Sequence, residues 1–284
     1  MKIGTVIVTF NPQINLLKKM IRHIHGQVDY ICVVDNSSKN KLKVKECIKK
    51  LDNAVFIELE ENFGIAKAQN EGFKFFDGKN YDWVLTLDQD TILPYDYVDR
   101  LISINIDENV GILTGAYVDK KWNDEQIKIM KSKRRERIQS ISEEISSGNL
   151  VLIKAWKNVK GFDEQLFIDY VDFDFDYKLI RAGYKIYRVN EIEFAHEIGE
   201  PIKGNFLKYL LLLHNRDMFD HSPERMFYIN RNRIIVRKRY PEFGSPIRVA
   251  IREVLNLREI LLMKSPRIKK LRLAMWGIVK GILS

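Results

Sequence analysis

The residues of this chain that could do chemistry fall into a few short polar clusters, several of them directly after apolar runs. Asp88-Gln89-Asp90 follows Leu85-Thr86-Leu87. Two carboxylates two residues apart at a strand end can hold one divalent cation. Mg²⁺ and Mn²⁺ prefer such hard oxygen ligands and keep positions for phosphate oxygens. Bare and side by side the carboxylates repel, so a cation between them is stabilising. The bland alternative is an acidic turn. Asp35-Asn36-Ser37-Ser38 offers an Asp that can accept hydrogen bonds from a base or ribose, or that simply forms an Asx turn. Asn62-Phe63-Gly64-Ile65-Ala66-Lys67-Ala68-Gln69-Asn70 reads as a helix entry, with Asn62 as N-cap and Gly64 permitting close backbone approach. A helix start of this kind suits phosphate or a polar base edge. It carries neither a Walker A pattern nor GxGxxG. From Gly161 to Asp174, carboxylates lie among aromatics. A carboxylate beside apolar rings gains a raised pKa and can act as a general base. Asp163, Glu164 and Asp174 read more simply as acids decorating a helix N-terminus. His196, at the end of a short strand, could complete a metal site through one ring nitrogen or be structural.

The elements that must position these clusters alternate. Strands are expected at Ile3 to Phe10, Tyr30 to Val34, Ala54 to Leu59 and Trp83 to Leu87, from their β-branched apolar runs. Helical spacing marks Ile14 to His25, Val44 to Leu51, Ile65 to Phe76 and Val98 to Ile106. This order implies an α/β fold with a mainly parallel sheet flanked by helices. In such sheets ligands bind beyond the carboxyl ends of the strands, where the clusters fall. Val110 to Tyr117 opens a different region. Lys120 to Glu144 is charged throughout and reads as a mobile insertion or a solvent-facing helix. Ser147 to Ile153 returns to strand character, Asp172 to Ala182 reads as helix, and Lys185 to Val189 and Ile192 to His196 as two short strands.

The chain has 284 residues and a net charge of +9. From Pro201 onward there are 18 Lys+Arg against 6 Asp+Glu, a balance of +12, so the remainder (29 basic, 32 acidic) sums to −3. The excess of positive charge therefore belongs to the C-terminal third and points to an anionic partner there. Cys32 and Cys47 have no metal-type spacing and fit a reducing compartment. No apolar run approaches the ~18 residues of a spanning helix.

In their order along the chain the clusters resemble the inverting glycosyltransferases of family 2, of the GT-A fold. The resemblance rests on Val6-Ile7-Val8-Thr9-Phe10-Asn11, Val33-Val34-Asp35-Asn36-Ser37-Ser38, Asn62-x-Gly64-x-Ala66-x-Ala68-Gln69-Asn70, Asp88-Gln89-Asp90, Gly161-Phe162-Asp163-Glu164 leading into Asp172, and His196. Within the family the chain looks most like bacterial rhamnosyltransferases, through Leu87-Asp88-Gln89-Asp90-Thr91, Leu166-Phe167-Ile168-Asp169-Tyr170-Val171-Asp172, His196-x-x-Gly199 and Tyr228-x-x-Arg231-Asn232-Arg233.

The resemblance runs from about Lys2 to Gly199 and implies a catalytic domain, taken as residues 1–204; the pattern from Asn205 on is helical and basic, giving a second region over 205–284. The resemblance implies a donor pocket of Thr9, Asn11, Asp35, Asn62, Gly64, Lys67, Asn70, Asp88 and Gln89. Asp88, Asp90 and His196 would hold Mg²⁺ or Mn²⁺ on the donor diphosphate, and Asp172 would deprotonate the acceptor hydroxyl, with Asp169 and Asp174 as rivals. The implied reaction moves L-rhamnose from dTDP-rhamnose to a lipid-linked glycan in cell-surface polysaccharide synthesis. A UDP-hexose or galactofuranose donor is the alternative. A basic nucleic-acid-binding protein is disfavoured, because no RRM, zinc-finger or helix-turn-helix pattern is present.

In the C-terminal region, Ile251, Val254, Leu255, Leu261 and Leu262 suggest one amphipathic helix. After Pro266, Ile268, Leu271, Met275, Ile278, Val279 and Ile282 form a stripe flanked by Arg267, Lys269, Lys270, Arg272 and Lys280, with Trp276 placed for an interface. This pattern suits a helix lying on an anionic membrane from the cytoplasmic side, or one packed on the domain or in a homodimer.

Overall fold

The computed structural model describes residues 1–284 apart from 106–107, 120, 133, 135, 197–201, 203–205, 214–215 and 217. Gly199 and the expected helix end at Ile106 lie outside the described residues. The strands are β1 (Ile3–Thr9), β2 (Tyr30–Asp35), β3 (Ala54–Glu58), β4 (Trp83–Asp88), β5 (Val110–Asp119), β6 (Ile138–Ile141), β7 (Asn149–Leu152) and β8 (Lys185–His196). The helices are α1 (Ile14–Ile24), α2 (Lys41–Ile48), α3 (Ile65–Asp77), α4 (Tyr97–Ile102), α5 (Asp124–Ser132), α6 (Ile153–Asn158), α7 (Val171–Arg181), α8 (Phe206–Leu210), α9 (Pro223–Arg239), α10 (Pro246–Asn256) and α11 (Arg267–Leu283). The chain divides into two compact units: Met1–Gln165 with Asp172–Glu197, and Leu166–Val171 with Ile198–Ser284.

The first unit is one sheet in the order β3-β2-β1-β4-β7-β5-β8-β6. β3, β2, β1 and β4 run parallel, as the buried apolar runs of β2, β1 and β4 predict. β7 enters antiparallel between β4 and β5, and β8 returns parallel to β5. Ile7, Leu17, Met20, Ile31, Val33 and Leu85 are fully enclosed in its core. Burial pushes the Cys32 thiol up to about 12, which leaves it inert as a nucleophile.

Two expectations are corrected. The charged stretch after β5 does begin as a helix with no buried residue, α5, but it goes on to form the edge strand β6, which pairs antiparallel with β8. It is fastened there by ion pairs of Arg137 with Glu191 (2.7 Å) and of Arg134 with Glu193. Its charges look solvent-facing in the sequence because their partners lie more than fifty residues away. The two short strands expected at 185–196 are a single strand, whose pairing with β5 slips between Gly115 and Ala116.

In the second unit α9 and α10 each begin with a Ser cap and a Pro: Ser222 accepts from the Arg225 N–H and Ser245 from the Arg248 N–H. α11 packs on α9 through Ala274, Gly277, Ile278 and Gly281, all buried. A Cβ on Gly277 would stand 2.4 Å from the Phe227 carbonyl oxygen, so only glycine allows this approach. One member of the expected stripe and one of its flanking cations therefore leave that surface. Ile278 turns into the contact, and Lys270 is buried with its ammonium on Asp220. Ile268, Leu271, Met275, Val279 and Ile282 stay exposed on the opposite side.

Candidate active site

Pairing register sets where the site lies. Thr9 stands beside Asp35, and Val8 beside Asp88, so β1, β2 and β4 end at one level. In the β3-β2-β1-β4 order the chain reverses direction of travel across the sheet at β1, which is where open α/β sheets form ligand crevices. Asp35 is fully buried. Its Oδ2 accepts from the Thr9 hydroxyl (2.8 Å) and its Oδ1 from the Ser38 N–H (2.8 Å). Asn11, at a φ of 50°, braces this turn: its N–H donates to Ser38 Oγ (2.7 Å) and its Oδ1 accepts from the Lys39 N–H (2.8 Å). Thr9, Asn11 and Asp35 thus form one hydrogen-bonded corner, and the Asx turn is built into it.

The entry to α3 joins the same corner. Asn36 donates from Nδ2 to Asn62 Oδ1 (2.8 Å) and accepts at Oδ1 from the Phe63 N–H (3.0 Å). Asn62 does not cap α3. The cap position is Gly64, with a φ of 87° that favours glycine, and Asn62 Oδ1 accepts from the Gly64 N–H instead (3.0 Å). The first turn of α3 consequently receives no side-chain acceptor. Further along α3, Lys67 pairs with Glu71 (2.9 Å) and reaches Glu164 (3.6 Å). The Asn70 amide is buried and fully engaged. Nδ2 donates to Phe162 O and Glu164 Oε1 (2.9 Å each), and Oδ1 accepts from Phe162 N–H (3.0 Å) and Trp156 Nε1–H (3.2 Å). Glu164 is therefore a tie to α3 rather than a decoration of a following helix.

The carboxylate pair sits on the loop after β4. Gln89 ties it to β1 by accepting the Phe10 N–H (2.8 Å). The Asp88 N–H donates to Ser147 Oγ (3.0 Å), the Ser147 hydroxyl to Thr91 Oγ1 (2.8 Å), and Thr91 Oγ1 meets His196 Nδ1 (3.1 Å). A chain of hydroxyls thus links this loop to the end of β8 and engages His196 through Nδ1. Among the described residues no three His, Cys, Asp or Glu side chains converge on one point. Asp88 and Asp90, both half-buried, still offer the hard oxygens that Mg²⁺ or Mn²⁺ takes, and such ions commonly complete their shell with water and substrate phosphate.

On α7, Asp172 is half-buried and accepts from the Phe173 N–H (3.0 Å). Asp174 is fully buried and paired with Lys178 (3.1 Å). Asp176 is also fully buried and accepts the Glu144 N–H (2.7 Å). Burial, reinforced by the charges of Asp172, Glu144 and Glu143, pushes its carboxyl well above the usual range. Burial likewise raises Glu144, against the pull of Arg188 at 3.3 Å.

Asp169 belongs to the second unit and is held bidentate by Arg225, with contacts of 2.9 to 3.2 Å. There Phe167, Asp169 and Tyr170 adopt φ values of 63°, 63° and 67°. Asn232 holds them, donating to the carbonyls of Leu166, Ile168 and Asp169 at 2.7 to 2.9 Å. Tyr228 stacks on Phe167, and Arg233 donates to the Tyr170 hydroxyl. The two sequence phrases around 166–171 and 228–233 are thus halves of one clasp.

Sequence reasoning gives Asn36 and Thr91 no role of their own, though both lie in the quoted clusters, and passes over Ser147 as part of the site. The Ser146-Ser147-Gly148 turn and the residue after each carboxylate cluster were the available signals. A cavity of about 770 Å³ lined by α1 and α2, including Lys18, Arg22, Lys43 and Cys47, contains none of the predicted residues.

Residues 5–164 match the family model described as Glycosyl transferase family 2. The dTDP-rhamnosyl transferase RfbF of Shigella flexneri is 30% identical over 263 residues, covering 89% of this chain and 84% of that protein. An N-acetylglucosaminyltransferase of Azorhizobium caulinodans is 32% identical over 127 residues, 42% of this chain and 31% of the relative. Among solved structures, GalNAc-T7 with UDP, GalNAc and Mn²⁺ is similar with a TM-score of 0.64 at 13% identity, over 100% of this chain and 57% of that one. Residues 1–349 of S. aureus TarS give 0.54 at 15% identity, over 99% and 90%. At these identities the structural likeness is one of fold, and the fold is GT-A, an α/β sheet flanked by helices, here with a basic helical C-terminal extension. By the family match and the near-full-length relative together, the chain belongs to glycosyl transferase family 2.

Proposed function

We propose that this glycosyltransferase is an inverting, metal-dependent enzyme that transfers L-rhamnose from dTDP-rhamnose to a lipid-linked glycan in cell-surface polysaccharide synthesis, at the cytoplasmic face of the membrane. The observation that carries the proposal is the 30% identity to a dTDP-rhamnosyl transferase over 89% of this chain. In this reading residues 1–204 bind donor and acceptor, and 205–284 associate with membrane or a second copy.

Thr9, Asn11 and Asp35 would receive the nucleotide base at a corner already ordered by hydrogen bonds. Asn62, Gly64, Lys67 and Asn70 would line the donor pocket along the entry and first turns of α3, the last two held in place by Glu164. Asp88 and Asp90 would hold Mg²⁺ or Mn²⁺, with His196 at its margin and Gln89 fixing the loop. A divalent ion there offsets charge on the departing nucleoside diphosphate. Asp172 would take the proton of the acceptor hydroxyl, and one base suffices for a single inverting displacement. Burial favours it over Asp174, which is fully enclosed on Lys178 while Asp172 is half-exposed.

A panel of nucleotide sugars tested for donor turnover with Mg²⁺ or Mn²⁺ checks the proposal. Turnover of dTDP-rhamnose above UDP-hexoses and UDP-galactofuranose is expected. Preference for a UDP-sugar would favour the second reading, which the partial match to an N-acetylglucosaminyltransferase supports. Absence of turnover with every donor and either metal overturns both.

A further inference from the structure

α11 has two apolar faces. One, built of Ala274, Gly277, Ile278 and Gly281, is spent on α9. The other, Ile268, Leu271, Met275, Val279 and Ile282, falls on one side of the helix at spacings of three and four and faces solvent. α10 touches both α9 and α11 and repeats the arrangement. It buries Val249 and Glu253, the latter on Arg233, and exposes Ile247, Ile251, Val254 and Leu255. Neighbouring helices with this much bare apolar surface are uncommon on a monomer and mark something that covers them.

Charge identifies the cover. Residues 246–284 carry nine Lys+Arg and two acids, Glu253 and Glu259. Both acids are turned inward, onto Arg233 and Arg216. The exposed stripes are bordered by cations: Arg248 and Arg252 on α10, and Arg272, Lys280 and Lys269, the last paired with Glu224, on α11, with half-exposed Trp276 alongside. Against a second copy of itself this positive surface is repelled, whereas against anionic headgroups it is attracted while the apolar side chains enter the acyl boundary. Among the described residues no helix is long and apolar enough to cross a membrane, so the fitting mode is to lie in its surface. Resting on the lipid-linked acceptor proposed above, we infer that the outer faces of α10 and α11 form a docking surface for an anionic lipid bilayer.

The test is co-sedimentation of the full chain with vesicles of phosphatidylcholine plus phosphatidylglycerol, and of phosphatidylcholine alone, at low and high salt. Binding is expected to the anionic vesicles and to weaken with salt. Ile268→Glu with Val279→Glu, or Ile251→Glu alone, should cut binding by about tenfold or more. All three positions point to solvent, so the fold should survive, as circular dichroism melting checks. Arg248→Ser with Arg272→Ser, which spares the apolar face, should weaken binding by about fivefold per charge removed.

Equal binding to neutral vesicles overturns the inference. So does no vesicle binding combined with a dimer that Ile268→Glu/Val279→Glu dissociates in sedimentation velocity, which assigns the face to a second copy. Donor turnover, measured in parallel without vesicles, separates the two proposals. Intact turnover without lipid binding sinks only the docking surface, and lipid binding without turnover sinks only the reaction.

Discussion

In the first unit Thr9, Asp35, Asn36, Ser38, Asn70 and Thr91 are buried, whereas in the second Ile247, Ile251, Ile268, Met275 and Val279 stand in solvent. Polar groups inside and large apolar groups outside are the two departures from ordinary burial that carry information. The two units make them in opposite directions. The buried polar groups named here are tied to one another or to backbone, so what they supply is a fixed arrangement at the strand ends. Among the described residues nothing covers the exposed apolar groups, so what they supply is affinity for something else. One departure makes a site rigid before its ligand comes; the other leaves a surface incomplete until its partner comes.

The largest expected effect tests whether the polar region holds the chemistry. Asp172→Asn should lower transfer by about 10²- to 10⁴-fold, with donor affinity measured by calorimetry left within about twofold. An unchanged rate would move the base elsewhere and remove the half-buried acid from the comparison.

A smaller effect asks whether buried polar groups there serve structure or ligand. Asn70→Ala strands partners on Trp156, Phe162 and Glu164 at once. It should cost about 3 kcal/mol of stability, read as a shift in the urea midpoint. A raised donor KM with stability unchanged would make Asn70 a ligand contact instead.

The smallest effect runs the other way in sign. Because burial raises the Asp176 carboxyl, the native chain keeps a proton that the unfolded chain releases above its ordinary value of 3.8. Stability attributable to this group is therefore highest below about pH 4 and falls as pH climbs toward the raised native value. Asp176→Asn can still accept the Glu144 N–H but cannot titrate. Its Tm should exceed that of the parent near neutral pH and converge with it in acid, as a pair of pH–melting series would show.

Much of the first unit was legible. Runs such as Tyr30 to Asp35 and Trp83 to Asp88 are apolar and end at the carboxylates they position, so strand and site are visible together. Asn62 was misread because only the positive φ of Gly64 distinguishes the cap from its neighbour, and φ is not written in composition. Thr91 and Ser147 escaped because single hydroxyls 56 residues apart have no periodicity to reveal them. α11 was read as having one stripe for a related reason. Alanine and glycine barely register in a hydrophobic pattern, yet Ala274, Gly277 and Gly281 make the buried contact and release the bulkier residues to the outside.

The Asn70 clasp has a consequence in time. Its bonds to Phe162 span 92 residues of chain. At ordinary translation speeds of about 5 to 20 residues per second, the amide is made roughly 5 to 18 s before the carbonyl it will hold. Until then α3 can lie on β1, but the turn that braces it does not exist. The strand ends are laid down early on the ribosome, and the crevice is locked late, by a residue that spent the interval in water.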